Sequence, residues 1–193
     1  MMGSSLEGAG RMRVILTQDQ IRRRVAELGS ELSDHYRGLN PVVIPLLKGG
    51  FIFGADLVRA MAGVEMQIEF LGAQSYGSGV VSSGEVRLTL DASMPLAGRH
   101  VLMIEDIVDS GNTLAYIHRL IRSRKPASLR TVVLLDKTDA RKVEVEVDWV
   151  GFSIPDRFVY GYGLDHPGGV GRNLQHIVAL EGPPGDGGSE GIS

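Results

Sequence analysis

The chain of 193 residues contains no cysteine, which excludes a disulfide framework, a thiol nucleophile and a thiolate zinc site. It lacks an apolar run of about 18 residues, the length needed to span a membrane. It also lacks a charged-then-apolar leader, so we expect a cytoplasmic protein with no membrane partner. A net charge of only −3 disfavours a dedicated nucleic-acid binder. The hydrophobic fraction of 43% and the charged fraction of 22% are typical of a globular domain.

The two ends of the chain differ in composition from the rest. Residues 1–11 are mostly small and polar, and residues 181–193 are rich in glycine, proline and acid without large apolar side chains. These compositions predict a flexible N-terminal extension and a disordered tail. One folded domain is therefore expected over residues 12–180, a length that suits a single core.

Between these ends, short apolar segments alternate with amphipathic ones. Thr17 and Gln20 have capping-box spacing, and the apolar periodicity after them predicts a helix that stops before Asn40-Pro41. Strands are predicted at 42–47, 67–71, 85–90, 101–104 and 132–135, with a loose alternation at 145–150; helices are predicted at 51–61 and around 114–121; and a Gly/Ser-rich loop is predicted at 73–84. This order predicts an α/β fold in which helices flank a central parallel sheet and ligands bind beyond the carboxyl ends of its strands.

The strongest chemical signal follows the predicted strand at 101–104. Two acids come directly after it, and a turn of small and hydroxyl-bearing residues then leads into a helix: Glu105, Asp106, Asp109, Ser110, Gly111, Asn112 and Thr113. The free N–H groups of a helix N-terminus suit a phosphate, and adjacent carboxylates suit sugar hydroxyls or a hard cation. A simple helix cap at Asp109 or Ser110 is the alternative, but it does not explain two acids where a hydrophobic strand leaves the core.

This segment resembles the phosphoribosyl pyrophosphate-binding motif of the type I phosphoribosyltransferases: apolar residues, two acids, two further residues, then Asp-Thr/Ser-Gly-x-Thr. The resemblance implies that Ser110 to Thr113 hold the 5′-phosphate, that Glu105 and Asp106 face the ribose hydroxyls or their Mg²⁺, and that Asp109 is the general base. It also implies a small hood and a mobile loop beside the sheet. A Walker A motif, a complete G-x-G-x-x-G and an H-E-x-x-H are absent, which removes the commonest competing phosphate and zinc sites.

Three further segments are similar to the anion-binding and covering elements of that family. Lys48-Gly49 corresponds to the pyrophosphate loop, in which the peptide before the lysine is often cis. Ser75-Tyr76 corresponds to the mobile loop that closes over the site and excludes water. Arg172 corresponds to an arginine that contacts pyrophosphate, but the Gly-rich stretch before it is about one residue longer, which leaves its register open. Taken alone, each segment also suits an ordinary surface turn.

The residues expected to read the base are similar to those of the hypoxanthine–guanine phosphoribosyltransferases. Lys137 follows the strand at 132–135, and residues 152–165 match Phe-x-Ile-Pro-Asp-Lys/Arg-Phe-Val-x-Gly-Tyr-Gly/Ala-Leu-Asp. The resemblance implies that Lys137 donates to purine O6, Phe158 stacks on the ring and the main chain of Val159 reads the Watson–Crick edge. Asp165 would help to hold a second Mg²⁺ or the exocyclic-amine side. A solvated Lys137 and a core-packed Phe158 are the simpler alternatives.

The resemblance implies a Mg²⁺-dependent transfer from phosphoribosyl pyrophosphate to N9 of hypoxanthine or guanine. The products would be IMP or GMP and pyrophosphate, and the enzyme would be a homodimer or homotetramer. Two alternatives stay open. A sister enzyme would prefer xanthine, or adenine, which offers Lys137 no acceptor. A regulator that senses phosphoribosyl pyrophosphate would bind nucleic acid through a basic cluster, which consists of Arg122, Arg124, Lys125 and Arg130.

Overall fold

The computed structural model describes residues 12–75, 86–166 and 169–180. The strands are β1 (Met12–Leu16), β2 (Val42–Leu47), β3 (Gln67–Ile68), β4 (Leu71–Ser75), β5 (Val86–Leu90), β6 (His100–Val108), β7 (Ser128–Asp136), β8 (Trp149–Ser153), β9 (Val159–Tyr160) and β10 (Ile177–Leu180). The helices are α1 (Gln18–His35), α2 (Gly50–Ala60) and α3 (Asn112–Ser123), with a short 3-10 helix at Thr138–Ala140. Within these ranges, no helix has both the length and the apolar character that a membrane crossing requires. The predicted extension at 1–11 and tail at 181–193 lie outside them.

The larger sheet has seven strands in the order β5-β4-β2-β6-β7-β8, with β3 beside β2. Every neighbouring pair is parallel except β4 and β5, which are antiparallel. The predicted α/β class is therefore confirmed, with one antiparallel strand added at the edge. Because the parallel strands all point the same way, the loops after β2, β6 and β7 meet at one edge of the sheet.

The central strand β6 is buried on both faces because its alternate side chains meet helices on opposite sides. Leu102 and Ile104 pack into the cluster formed with α1 and α2, whereas Val101 and Met103 pack into the cluster formed with α3. All four side chains are fully buried. A parallel strand covered on both faces appears in sequence as a continuous apolar run, and this explains why the strand at 101–104 was predictable.

A second, antiparallel sheet forms the hood and has the order β1-β10-β9. It joins the two ends of the described chain, since Met12 pairs with Leu180 and Val159 pairs with Ala179. The resemblance implied a hood, but no local pattern predicted these strands, because each is short and its pairing partner is distant in sequence.

Several predicted boundaries were wrong. β6 continues to Val108, which pairs with Asp136 of β7, so the two acids lie inside this strand rather than after it. The strand expected at 67–71 is divided between β3 and the start of β4, and residues 73–75 belong to β4 rather than to a loop. Residues 76–84 of that predicted loop lie outside the described ranges. The alternation at 145–150 is a strand only from Trp149, the residue at which pairing with β7 begins.

Candidate active site

Glu105 and Asp106 are buried carboxylates in β6, each only 8% exposed. The pairing of β2 with β6 stops at Ile104, and the Lys48-Gly49 loop that follows β2 lies beside the acids. A Cβ atom on Gly49 would overlap the carboxylate of Asp106, so glycine is the residue that allows this close approach. The acid pair and the candidate pyrophosphate loop are therefore in direct contact.

The electrostatic environment of the acid pair favours a bound cation. Burial raises the pKa of both carboxyl groups, and the neighbouring charge of Asp106 raises the pKa of Glu105 further. In the described part of the chain, neither carboxylate forms an ion pair with a lysine or an arginine, and no cluster of three or more His, Asp or Glu side chains could hold a metal by itself. Mg²⁺ is commonly held by one or two carboxylates together with substrate phosphate oxygens, and these two residues fit that arrangement.

The burial of Glu105 leads to a prediction about stability. Glu105→Gln is expected to raise the melting temperature at pH 8 and to leave it unchanged near pH 4.5. The pKa of this carboxyl is raised in the fold from an ordinary value of 4.5. The unfolded chain therefore releases the proton first, and folding becomes less favourable as the pH rises above 4.5. Glutamine cannot ionise, so the variant escapes this penalty.

Calorimetric melting curves without Mg²⁺ at the two pH values provide the measurement for Glu105. Glu144→Gln is the matched control, because Glu144 is exposed and its replacement should give no pH-dependent gain. Equal melting temperatures for wild type and Glu105→Gln at pH 8 would contradict the assignment of a destabilising buried charge to Glu105.

The turn from β6 into α3 depends on Gly111. Its φ is 81°, in the left-handed region that favours glycine, and a Cβ atom there would lie 2.7 Å from the carbonyl oxygen of Val143. The loop after the 3-10 helix braces the turn, because the amides of Lys142 and Val143 donate to the carbonyl of Ser110 at 3.0 and 3.2 Å. α3 begins at Asn112, and the N–H groups of its first turn lack helical acceptors, as a phosphate site requires.

One cavity of about 840 Å³ brings most of the predicted residues together. Ten of them line it: Lys48, Gly49, Glu105, Asp106, Asp109, Ser110, Gly111, Thr113, Asp165 and Arg172. Asn112, Lys137, Phe158 and Val159 are not among the lining residues. Ser75 ends β4, and Tyr76 lies outside the described residues.

Lys137 is connected to the cavity by ion pairs with two carboxylates that line it. Its Nζ lies 3.0 Å from Asp109 Oδ2 and 3.1 Å from Asp156 Oδ1, and its side chain is only 7% exposed. Lys137 is therefore not a solvated surface lysine. Sequence reasoning missed Asp156 as a partner, although it stands in the quoted Pro155-Asp156 segment, because no spacing relates it to Lys137.

Asp136 is the last residue of β7 and Lys137 follows it, but their side chains have different partners. The guanidinium of Arg141 donates to both carboxylate oxygens of Asp136, from Nε at 3.1 Å and from Nη2 at 2.8 Å. This buried ion pair shapes the loop that follows β7, the same loop that braces Ser110. Asp136 is thus a structural acid, and Lys137 is the residue that contacts the lining carboxylates.

Val159 begins β9 of the hood, and Phe158 directly precedes it. Phe158 is 43% exposed, and its ring meets that of His166 edge-on, with centroids 6.0 Å apart. The alternative of core packing is therefore wrong for Phe158. The side chain of Val159 is buried in the core next to α1 and α2, so its main chain is the part that could meet a ligand.

Two of the positively charged residues that line the cavity are Lys48 and Arg172. The peptide between Leu47 and Lys48 is cis, and Lys48 is exposed. The guanidinium of Arg172 donates to the carbonyl of Gly163 at 2.6 Å and pairs with Asp165 Oδ2 at 2.8 Å. Despite the longer Gly-rich stretch before it, Arg172 therefore lines the same cavity as Lys48. The carboxylate of Asp165 partly neutralises the positive charge of Arg172.

Comparisons with known proteins agree with this geometry. Residues 14–167 match the phosphoribosyl transferase domain. The chain belongs to the phosphoribosyltransferase family. It is 43% identical over 169 residues to the hypoxanthine-guanine phosphoribosyltransferase of Bacillus subtilis, with 88% of this chain and 93% of the relative covered. It is 44% identical over 172 residues to that of Aquifex aeolicus, with 89% and 96% covered.

Longer relatives and solved phosphoribosyltransferase structures extend the comparison. The bifunctional protein TilS/HprT of Listeria monocytogenes is 44% identical over 169 residues, and this chain spans 26% of its length. A hypoxanthine phosphoribosyltransferase structure from Staphylococcus aureus has a TM-score of 0.83 at 39% identity, with 94% of this chain and 97% of that one covered. The enzyme from Trypanosoma cruzi in complex with IMP has a TM-score of 0.81 at 41% identity, with 92% and 98% covered. The predicted family and the type I phosphoribosyltransferase fold are confirmed.

Proposed function

We propose that the protein transfers the 5-phosphoribosyl group from phosphoribosyl pyrophosphate to N9 of hypoxanthine or guanine. In this reaction the N9–C1′ bond forms, the bond from C1′ to pyrophosphate breaks, and the products are IMP or GMP and pyrophosphate. One observation carries the proposal: a single cavity is bordered by the turn that begins α3, the acid pair, Lys48, Arg172 and Asp109. These are the groups that a phosphorylated sugar with a pyrophosphate leaving group requires.

The phosphate ends of the substrate are assigned to two places in the cavity. Ser110, Gly111, Asn112 and Thr113 would hold the 5′-phosphate through main-chain N–H groups and hydroxyls at the helix N-terminus. Lys48, the main chain of Gly49 and Arg172 would neutralise the departing pyrophosphate, for which a guanidinium fork is well suited.

Mg²⁺ is the cofactor we propose, held by Glu105 and Asp106 and, at a second position, by Asp165. When bound, it would stabilise negative charge on the sugar hydroxyls and on the leaving group. Support comes from the burial and the raised pKa of the acid pair, because deprotonated buried carboxylates need a compensating positive charge. Asp165 would have to share its carboxylate with Arg172, its present partner.

The base end of the reaction is assigned to Asp109 and Lys137. Asp109 would accept the proton from purine N7, and Lys137 would donate to O6. An ammonium group has three donors and no acceptor, so after its bonds to Asp109 and Asp156 one donor is left for the base. Phe158 would stack on the ring, and the main chain of Val159 would read the Watson–Crick edge. Closure of Ser75-Tyr76 over the site, a cytoplasmic location and a homodimeric or homotetrameric state remain predictions.

Among the alternatives, the nucleic-acid-binding regulator receives less support. Three members of its basic cluster are neutralised by acids on neighbouring segments: Arg122 by Glu146, Arg124 by Asp91 and Arg130 by Asp148. A surface already paired in this way offers few free cations to a phosphate backbone. A preference for xanthine differs from the proposal only at the 2-position of the base, and turnover measured with each base separates the two.

The decisive experiment is an activity panel with hypoxanthine, guanine, xanthine and adenine, each with phosphoribosyl pyrophosphate and Mg²⁺. We expect turnover with hypoxanthine or guanine and little with adenine, since adenine carries an amino group where Lys137 needs an acceptor. Omission of Mg²⁺ with a chelator present is the control and should abolish turnover. Preferential use of adenine or of xanthine would contradict the proposed specificity, and salt-sensitive RNA binding without turnover would support the regulator.

A further inference from the structure

The turn Gly161-Tyr162-Gly163 joins β9 of the hood to the edge of the active site. Its three residues have positive φ values of 107°, 46° and 103°. A Cβ atom on Gly161 would overlap the carbonyl of His176, and one on Gly163 would overlap the carbonyl of Gly49. The turn is therefore packed between the chain that leads to β10 on one side and the candidate pyrophosphate loop on the other.

Tyr162 is the residue in this turn with a long side chain, and it reaches across to α2. Its hydroxyl donates to Asp56 Oδ2 at 2.6 Å, while its side chain is almost fully buried. Burial and the carboxylate of Asp56 raise the pKa of the Tyr162 phenol well above its ordinary value, so the hydroxyl stays protonated and acts as the donor. Asp56 also forms an ion pair with Arg59 one turn further along α2.

The same turn is hydrogen-bonded to the segment that contains Arg172. The amide of Tyr162 donates to the carbonyl of Leu174 at 3.0 Å, and the amide of Gly163 donates to the carbonyl of Arg172 at 2.9 Å. The guanidinium of Arg172 returns to the carbonyl of Gly163. Arg172 is thus bound to the turn through both its main chain and its side chain.

The position of α2 matters because this helix begins at Gly50, directly after Lys48-Gly49. The two cationic groups assigned to pyrophosphate therefore come from different layers of the protein. Lys48 precedes α2, which packs on the sheet, and Arg172 belongs to the hood. The hydrogen bond from Tyr162 to Asp56 directly connects these two layers.

We propose that Tyr162 and Asp56 are a positioning pair, which holds the Gly161–Gly163 turn against α2 so that Arg172 and Lys48 face one pyrophosphate group. Neither residue lines the cavity of about 840 Å³, so the pair acts through Arg172 and the Lys48-Gly49 loop and does not touch the substrate. This inference rests on the proposed function, since it assigns two further residues to the pyrophosphate subsite of that reaction.

The test removes the hydrogen bond with minimal change of volume. Tyr162→Phe is expected to raise KM for phosphoribosyl pyrophosphate about tenfold, the effect of a hydrogen bond to a charged group, with little change in KM for hypoxanthine. Asp56→Ala should have the same effect. Asp56→Asn should restore most of the affinity, because its amide carbonyl still accepts from the phenol. The double variant Tyr162→Phe/Asp56→Ala should be no worse than either single variant, because both remove the same interaction.

Tyr116→Phe is the matched control. Tyr116 is a half-buried tyrosine of α3, and its hydroxyl has no hydrogen-bond partner among the described residues, so its loss should leave both KM values unchanged. Melting curves identify variants that fail to fold. Calorimetric titration of folded wild type and Tyr162→Phe with pyrophosphate and Mg²⁺ measures the subsite without any turnover, and we expect a similar tenfold loss of affinity.

Unchanged pyrophosphate affinity in folded Tyr162→Phe would overturn the positioning pair. So would equal increases in KM for both substrates, or losses that add in the double variant, since a general loosening of the fold gives those results. Failure of wild type to use any purine would overturn the proposed function instead. The titration separates the two cases because it depends on the subsite and not on transfer to a base.

Discussion

Asp109→Asn is expected to lower kcat for hypoxanthine by about 10²–10⁴-fold, the usual contribution of a general base. Asparagine has nearly the same shape, but its amide cannot take a proton from purine N7. Because the amide oxygen can still accept from Lys137, which now contacts Asp109 Oδ2 at 3.0 Å, the pocket should keep its geometry. Steady-state turnover at saturating phosphoribosyl pyrophosphate measures the loss, and calorimetric titration with IMP should show that nucleotide still binds.

The matched control for this variant is Asp139→Asn. Asp139 lies on the neighbouring 3-10 helix and is exposed, so its replacement changes the charge by the same amount near the site and should leave kcat unchanged. Near-full activity of Asp109→Asn would show that Asp109 is not the base. A loss of IMP affinity as large as the loss of kcat would show that it binds ligand rather than moving a proton.

Lys137→Ala is expected to raise KM for hypoxanthine by about 10–100-fold, the range for a lost hydrogen bond to a charged group. KM for phosphoribosyl pyrophosphate should rise much less. We assign Lys137 to the base side of the site, and its Nζ lies between Asp109 and Asp156. The proposed phosphate-binding turn and Arg172 are separate elements that the substitution leaves in place. Initial rates with each substrate varied in turn give the two KM values.

The control for Lys137→Ala is Lys125→Ala, which removes an exposed lysine from the loop between α3 and β7. It should change neither KM. Equal losses for hypoxanthine and phosphoribosyl pyrophosphate in Lys137→Ala would argue against Lys137 as the residue that reads the base. They would indicate that the released carboxylates of Asp109 and Asp156 disturb the whole cavity.

The parts of the fold that could be predicted depend on local chemistry. The Thr17–Gln20 capping box marks the start of α1, and both of its reciprocal hydrogen bonds are present. Residues 101–104 and 132–135 are apolar because their strands are covered on both faces. In each case the signal lies within a few residues of the structure it specifies, so a single sequence is sufficient to find it.

The misplaced ends of strands have a different origin. Glu105 and Asp106 have side chains that normally end a buried strand, yet β6 continues through them because its backbone still pairs with β7. The hydrogen bonds between strands use backbone atoms only. A strand can therefore include charged side chains such as those of Glu105 and Asp106 and still pair with its neighbour. The consequence is a more deeply buried acid pair than the sequence alone implied.

The sequence by itself determined which chemical groups this protein presents: a turn of small and hydroxyl-bearing residues at a helix start, two adjacent carboxylates, and cations at the ends of strands. Short spacing along the chain was enough to find each of them, because the residues of each group are neighbours within one turn, strand or loop. Only the tertiary structure decided which distant residues meet, such as Asp156 with Lys137 and Tyr162 with Asp56. Parallel strands and a hood closed by both ends of the described chain bring these residues together, and no periodicity in the sequence records those contacts.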